Sequence, residues 1–315
     1  MATDTHENAH AGNERTALVF GATGKQGGAV ARALRARGWT VRALVRDVES
    51  DRARSLSSNG IQLRAGDFSN VEAVRSAMAG AHGVFSMQPN AGSAGSGITN
   101  ADEAHFGKSV ADIALESGVE HLIYTSANII AGGETGLANL DTKIEIESHI
   151  RNLDLVSTII RPVAFMDLFT LPGMGLDQGV FSFFIHPTQT LQAIAVEDIG
   201  KIVAMIFEDK DRYAGQTIPI AGDHLTGLEL GQALTKASGR TITYQRFPDS
   251  LLAENEFLGR NAKLFEDSRG TGNIDIASLK SEFGDLFSVA DWLSGPGKAS
   301  LEAALSANGQ SVALK

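Results

Sequence analysis

The sequence predicts an α/β fold: a doubly wound parallel sheet followed by a smaller, mainly helical C-terminal domain. Three observations carry this reading. Short apolar runs alternate with helically spaced segments from residue 16 to about residue 162, the pattern of a parallel sheet covered on both faces. The first run leads through a glycine-rich turn into the first helical segment. Beyond residue 162 the alternation breaks, and from Leu225 most of the chain reads as helix.

The expected strands are TALVF (16 to 20), TVRALV (40 to 45), IQLRAGD (61 to 67), GVFSM (83 to 87), HLIYTS (121 to 126) and VSTIIRP (156 to 162). Between them, Gln26 to Arg37 places Val30, Ala33 and Leu34 on one helical face, and Val71 to Met78 and Phe106 to Leu115 behave alike. Gly38, Gly60, Gly80 and Gly118 each follow a helical stretch, where a left-handed capping residue is wanted. The segment VAFMDLFTLPGMGLDQGVFSFFI (163 to 185) is irregular and rich in Phe, Met and Gly, with Gly173, Gly175 and Gly179 suggesting a loop or lid. LQAIAVEDIGKIVAMIFED then reads as a strand and a helix starting near Glu197, GQTIPIAGD as a strand, and ITYQRF as one more strand among helices. The closing stretch GPGKASLEAALSANGQSVALK is expected to be peripheral or frayed.

These patterns divide the chain into a disordered tail (1–14), a nucleotide-binding domain (15–162 and 191–222) and a smaller substrate or lid domain (163–190 and 223–315). A chain of 315 residues, 43% hydrophobic, can bury a large core. Its net charge of −10 argues against nonspecific binding to nucleic acid or an anionic membrane, both of which need clustered Lys and Arg. The absence of cysteine excludes disulfides, thiolate catalysis and cysteine-ligated metals. The eight histidines are scattered without metal-ligand spacing, so no metal is expected. The polar opening MATDTHENAHAGNER lacks the apolar core of a secretory signal, and no apolar run approaches the ~20 residues of a membrane span. A cytoplasmic protein is expected.

The motif VFGATGKQGG carries the most chemistry. A phosphate cradle needs glycines for a tight turn, for close backbone approach to a pyrophosphate, and for packing helix on strand. Gly21, Gly24 and Gly27 fill those places with the spacing G-x-x-G-x-x-G, and Gly21, Thr23, Gly24, Lys25, Gln26 and Gly27 form the expected cradle of a Rossmann-type dinucleotide site. At the end of the second strand, where NAD sites usually carry an acid, stands Arg46. A guanidinium suits the 2'-phosphate of NADP, so NADP(H) is expected in preference to NAD(H). The competing readings are a loop charge paired with Asp47, or Asp47 itself serving NAD. Asp67 and Phe68 close the third strand near the adenine side, and Met87 and Gln88 close the fourth near the middle of the cofactor.

The stretches VFGATGKQGGAVARAL, VRALVRD, AGDF, HLIYTSA, TKIEIESHIRNLDLVSTIIRP and VAFMDLF together resemble the NmrA-like group of atypical short-chain dehydrogenases/reductases, over about residues 16 to 260. The group includes NADP-sensing regulators without turnover, NADPH-dependent quinone reductases and, more distantly, isoflavone-reductase-like enzymes. Ordinary short-chain dehydrogenases use a tyrosine four residues before a lysine, with a serine after the fifth strand. No Tyr-x-x-x-Lys occurs here: Asn139 holds the tyrosine position, while Lys143 and Ser126 match the lysine and the serine. Tyr124 shares a strand face with Ser126 and fits either a pocket wall or packed core. The candidate catalytic residues are therefore Lys143, Ser126 and Tyr124. Without the resemblance, Lys143 and Glu147, four apart, would also fit an ordinary surface pair.

The resemblance implies that Lys143 contacts the nicotinamide ribose and either assists proton transfer or merely binds cofactor. Phe165, Met166 and Phe169, with Phe181 and Phe184, are expected to wall an apolar substrate pocket, although core packing explains each as well. His186 and His224 are expected to be structural. The expected function is NADPH-dependent hydride transfer to a quinone or other small conjugated carbonyl substrate. The alternative is a non-catalytic NADP(H) redox sensor acting through a regulatory protein partner. A homodimer is one expected assembly.

Overall fold

The computed structural model describes residues 15–90 and 97–307, so the expected tail at 1–14 and the last residues, 308–315, lie outside the described residues. The first half of the chain alternates strand and helix: β1 (Thr16–Val19), α1 (Lys25–Ala36), β2 (Thr40–Val45), α2 (Asp51–Ser58), β3 (Gln62–Ala65), α3 (Val71–Met78), β4 (Gly83–Ser86), α4 (Asn100–Glu116), β5 (His121–Thr125), α5 (Ala138–Arg151) and β6 (Ser157–Pro162). There follow β7 (Ala164–Phe165), β8 (Val180–Phe183), β9 (Thr190–Ile194), α6 (Val196–Glu208), a one-turn α7 (Lys210–Tyr213), β10 (Thr217–Ile220), β11 (Asp223–Thr226), α8 (Gly227–Ser238) and β12 (Thr243–Arg246). Helices α9 (Asp249–Glu254), α10 (Glu256–Glu266), α11 (Ile276–Phe283), α12 (Val289–Ser294) and α13 (Lys298–Leu305) complete the described chain.

Seven strands form one parallel sheet in the order β10-β6-β5-β4-β1-β2-β3. Because β1 and β4 are neighbours but not consecutive, strand order reverses between them, and their carboxyl ends open a crevice. The interior strands are buried on both faces, which is why they read as apolar runs rather than alternating ones. One face is covered by α1, α2 and α6, whose Val30, Leu34, Ala53, Ile199 and Val203 pack against Val19, Val41 and Phe85. Helices α1 and α6 approach so closely that a Cβ on Gly200 would stand 2.6 Å from Ala29 O. The other face is covered by α3, α4 and α5 through Val74, Met78, Val110, Ile113, Ile146 and Ile150. Gly38, Gly60, Gly80 and Gly118 all take positive φ, at 82°, 76°, 68° and 68°, as the helix-ending reading requires.

The smaller region has its own core of Phe, Leu and Met, and its own short strands. β11, β9 and β7 form a three-stranded sheet, and β12 pairs in parallel with β8. The stretch from 191 divides accordingly. β9 joins the small sheet, whereas α6 packs on α1 and β10 extends the large sheet beside β6. The closing stretch is not frayed through its length: α13 is helical, and its Leu301 and Ala304 are buried in the second core.

Candidate functional site

The chain leaves β1 at Phe20 and turns at Gly21, whose φ of 68° favours glycine. Gly24 N–H donates to Gly21 O at 2.9 Å and closes the turn. Helix α1 then starts on Gly24 without a side-chain cap, leaving its first N–H groups to serve an anion. Gly27 lets the helix press on the strand: a Cβ there would stand 2.4 Å from Gly21 O and 2.7 Å from Phe20 O. Across the crevice, a Cβ on Gly21 would stand 3.0 Å from Met87 Sδ, so the ends of β1 and β4 do meet at the reversal point. Side chains at Gly21 and Gly27 would collide with Met87 and with the carbonyls of Gly21 and Phe20, so the tight turn into α1 depends on these glycines.

The cradle side chains are engaged within the protein. Gln26 is buried, and its Nε2 donates to Thr125 Oγ1 at 2.8 Å, so only its backbone N–H remains for a phosphate. Gln88 is likewise buried, its Nε2 donating to Ser86 Oγ at 2.9 Å. Lys25 Nζ lies 2.6 Å from Asp167 Oδ1 on the turn after β7, joining the cradle to the smaller region. Thr23 stands half-buried in the turn.

Arg46 is exposed at the end of β2 and has no hydrogen bond or ion pair among the described residues. Asp47, its expected competitor, accepts from Glu49 N–H at 2.8 Å. Asp67 accepts from the Ser69 hydroxyl at 2.5 Å and from Ser69 N–H at 2.9 Å. Those bonds, with a smaller contribution from Arg46, hold its carboxyl below the usual range. Phe68 stacks between Phe20 and Phe106, with centroids 5.1 and 5.5 Å away, which makes it a packing residue at the rim.

At the far end of the crevice, Lys143 and Glu147 do not pair with each other. Lys143 Nζ lies 2.6 Å from Glu103 Oε1 on α4 and 3.2 Å from Asn139 O, with its side chain 14% exposed. Glu147 is buried and bonded to Arg161 by two contacts, 2.8 and 2.6 Å, and to Arg151 at 2.6 Å. Burial pushes its carboxyl up, but the bonds from Arg161 and its neighbours outweigh burial and hold it low. Ser126 lies beside this carboxylate, buried, without a hydrogen bond of normal geometry.

Tyr124 is a core residue, 1% exposed, and does not wall a pocket. Burial, followed by the nearby Glu103 and Glu147 carboxylates, pushes its phenol well above the ordinary value. It has no open path to a ligand, so it is withdrawn from the catalytic set. Met166 and Phe169 are also corrected: both are 0% exposed and belong to the second core, together with Phe181. Phe165 is half-buried and packs at the edge of the first core, so it alone of the three expected wall residues keeps accessible surface. His186 and His224 are exposed.

A cavity of about 270 Å³ lies between Asn128–Gly132, which follow β5, and Ser268–Asn273 of the smaller region. Arg269 crosses there, donating to Glu134 O at 2.6 Å and to Gly133 O, while Arg260 donates to Gly136 O at 2.6 Å. No sequence motif marks this seam, because backbone carbonyls accept both guanidinium groups. Among the described residues no group of three His, Asp or Glu is arranged to hold a metal, and no helix is long and apolar enough to cross a membrane.

The family model of the NmrA-like family matches residues 13–291. The chain belongs to the NmrA-like family. Among its relatives, an NmrA-like family domain-containing oxidoreductase of an Aspergillus species is 27% identical over 267 residues, covering 74% of this chain and 76% of that one. The crystal structure of NmrA, a negative transcriptional regulator, superposes with a TM-score of 0.76 at 22% identity, covering 94% and 98% of the two chains. An Escherichia coli NADPH-dependent quinone oxidoreductase, crystallised with NADPH, superposes with a TM-score of 0.70 at 24% identity, covering 89% and 98%. These likenesses extend over both regions, so the Rossmann-like sheet and the appended helical part are shared with both solved structures. In this NmrA-like chain Glu103, Thr125 and Asp167 escaped the motif reading. Glu103 was findable in principle, because it falls on the apolar stripe of α4 with Phe106, Gly107 and Val110, where an acid needs a partner.

Proposed function

We propose that the chain binds NADP(H) in preference to NAD(H) and acts as an NADPH-dependent oxidoreductase, delivering hydride to a quinone or another small conjugated carbonyl compound. The observation that carries it is the uncapped start of α1 on a cradle whose glycines leave no room for side chains. When bound, the dinucleotide supplies the hydride.

The chain's part is to hold and orient. Backbone N–H groups of Lys25, Gln26 and Gly27, with the Lys25 side chain once released from Asp167, hold the pyrophosphate. Arg46, exposed at the end of β2, takes the 2'-phosphate, and Asp67 and Phe68 border the adenine side. Gly21 and Met87 border the middle of the cofactor. Lys143 supplies a donor to the nicotinamide ribose, and Lys143, Ser126 or water returns a proton to the reduced oxygen. Phe165 borders the substrate, and the Asn128–Asn273 cavity admits it. The oxidoreductase relative and the quinone oxidoreductase neighbour support this reading.

A redox sensor acting through a protein partner is the second reading, favoured by the burial of Tyr124, by Asn139 in the tyrosine position and by the likeness to the regulator NmrA. The test is NADPH consumption on addition of a panel of quinones and enones. Acceptor-dependent consumption supports the enzyme. NADPH binding without consumption across the panel, with a partner that distinguishes NADP from NADPH, favours the sensor.

A further inference from the structure

Glu103 lies on the buried face of α4, 2% exposed, with Oε1 against Lys143 Nζ and Oε2 buried without any hydrogen-bond partner. Gly107, one turn on, makes the pairing possible. A Cβ there would stand 2.5 Å from Ile146 Cδ1, so its absence lets α5 close on α4 and bring the lysine to the carboxylate. A carboxylate half-satisfied in the core is a poor way to stabilise a fold, since an apolar pair of similar volume does as well or better. The same arrangement is a good way to hold an ammonium. Of the three N–H donors of Lys143, Glu103 takes one and Asn139 O a second, and the third has no partner among the described residues.

We propose that Glu103 is a positioning residue for Lys143: its buried carboxylate on α4, with Asn139 O, fixes the ammonium of α5 in one place, with one N–H left for a ligand oxygen. This rests on the reading of Lys143 as the group that meets the nicotinamide ribose. Removing the charge while keeping the shape, as in Glu103→Gln, frees the lysine to swing; Glu103→Asp keeps the charge one methylene further back.

The experiment compares wild type, Glu103→Gln, Glu103→Asp, Lys143→Ala and the double variant Lys143→Ala/Glu103→Gln. Readouts are NADPH affinity, quinone-dependent kcat and KM, and melting temperature with and without methylammonium. Expected for Glu103→Gln is a loss of about tenfold or more in kcat or in NADPH affinity with acceptor KM little changed, partly recovered in Glu103→Asp. Methylammonium should raise the melting temperature of Lys143→Ala, by filling the vacated place against Glu103, and leave the double variant unmoved. Wild-type kcat and affinity in Glu103→Gln, or equal methylammonium stabilisation of the single and double variants, overturns the proposal. If wild type turns over no acceptor, the hydride-transfer reading fails by itself, while the affinities and the methylammonium shifts still decide the place of Glu103.

Discussion

Lys25, the first residue of α1, is held at 2.6 Å by Asp167 from the turn after β7, so an ion pair joins the glycine turn at the start of α1 to the smaller region. Lys25 is 58% exposed, and such a pair contributes about 0–1 kcal/mol to stability. Its larger effect is on ligands. Asp167 puts a carboxylate beside a helix N-terminus, its Oδ2 buried without a partner, and competes with any incoming phosphate. Asp167→Asn should leave the melting temperature almost unchanged and tighten NADPH binding about three- to tenfold in a fluorescence titration. Weaker binding in the variant would mean that Asp167 helps to hold the cofactor.

Arg46 is exposed and, among the described residues, makes no hydrogen bond or ion pair and only a weak electrostatic contact with Asp67, so its removal should act mainly on the ligand. Hydrogen bonds between charged groups contribute about 1.5–3 kcal/mol, which corresponds to about ten- to a hundredfold in affinity. Arg46→Ala should lower NADPH affinity by that factor and leave NADH affinity where it was. Equal losses for the two dinucleotides would contradict a 2'-phosphate contact.

Gly27 is the tightest of the three cradle glycines. Its missing Cβ would meet the carbonyls of Gly21 and Phe20, backbone that cannot swing away. Gly27→Ala should cost about 1–3 kcal/mol in urea unfolding and weaken dinucleotide binding at least tenfold, because the helix start moves off the strand. Retained affinity in a destabilised variant would place the pyrophosphate elsewhere.

His121 links the sheet to solution pH. Its Nε2 meets Thr158 Oγ1 at 2.8 Å while Nδ1 is buried without a partner, and burial pushes the imidazole down to about 4. The unfolded chain binds the proton near pH 6.5, so this histidine's contribution is complete above about 6.5 and lost as pH falls toward 4. Asp198, raised to about 6 by burial, acts in the opposite direction over the same range, its contribution being lost as pH rises through 6. Comparing wild type with His121→Gln isolates the histidine: between pH 7 and 4.5 wild type should lose on the order of 2 kcal/mol more. Parallel losses would show that His121 is not the titrating group.

Much of this was legible in the sequence, and the exceptions have physical causes. The run 40–45 is β2 and the run 71–78 is α3, because apolar spacing inside a parallel α/β layer leaves little choice. The tight turn into α1 was legible because Gly21 and Gly27 stand where a side chain would be strained or collide with backbone. Tyr124 was ambiguous because β5 is buried on both faces, so alternation along it does not say which side chains reach the crevice. Met166 and Phe169 read equally as pocket wall or as core, because an apolar core and an apolar pocket draw on the same residues. The short strands β7, β8 and β11 carry two to four residues each, too few for a period to emerge. The ion pairs Lys143–Glu103 and Lys25–Asp167 join residues 40 and 142 positions apart, and nothing local records them.

Hydride transfer from bound NADPH is tested most directly by mixing the protein with NADPH deuterated at the nicotinamide C4, on each face in turn, and a quinone that it consumes. The expected result is a primary kinetic isotope effect with one face only, and one NADPH oxidised per acceptor reduced. Tight NADPH binding with no acceptor-dependent oxidation, or oxidation without an isotope effect from either face under single-turnover conditions, would contradict it.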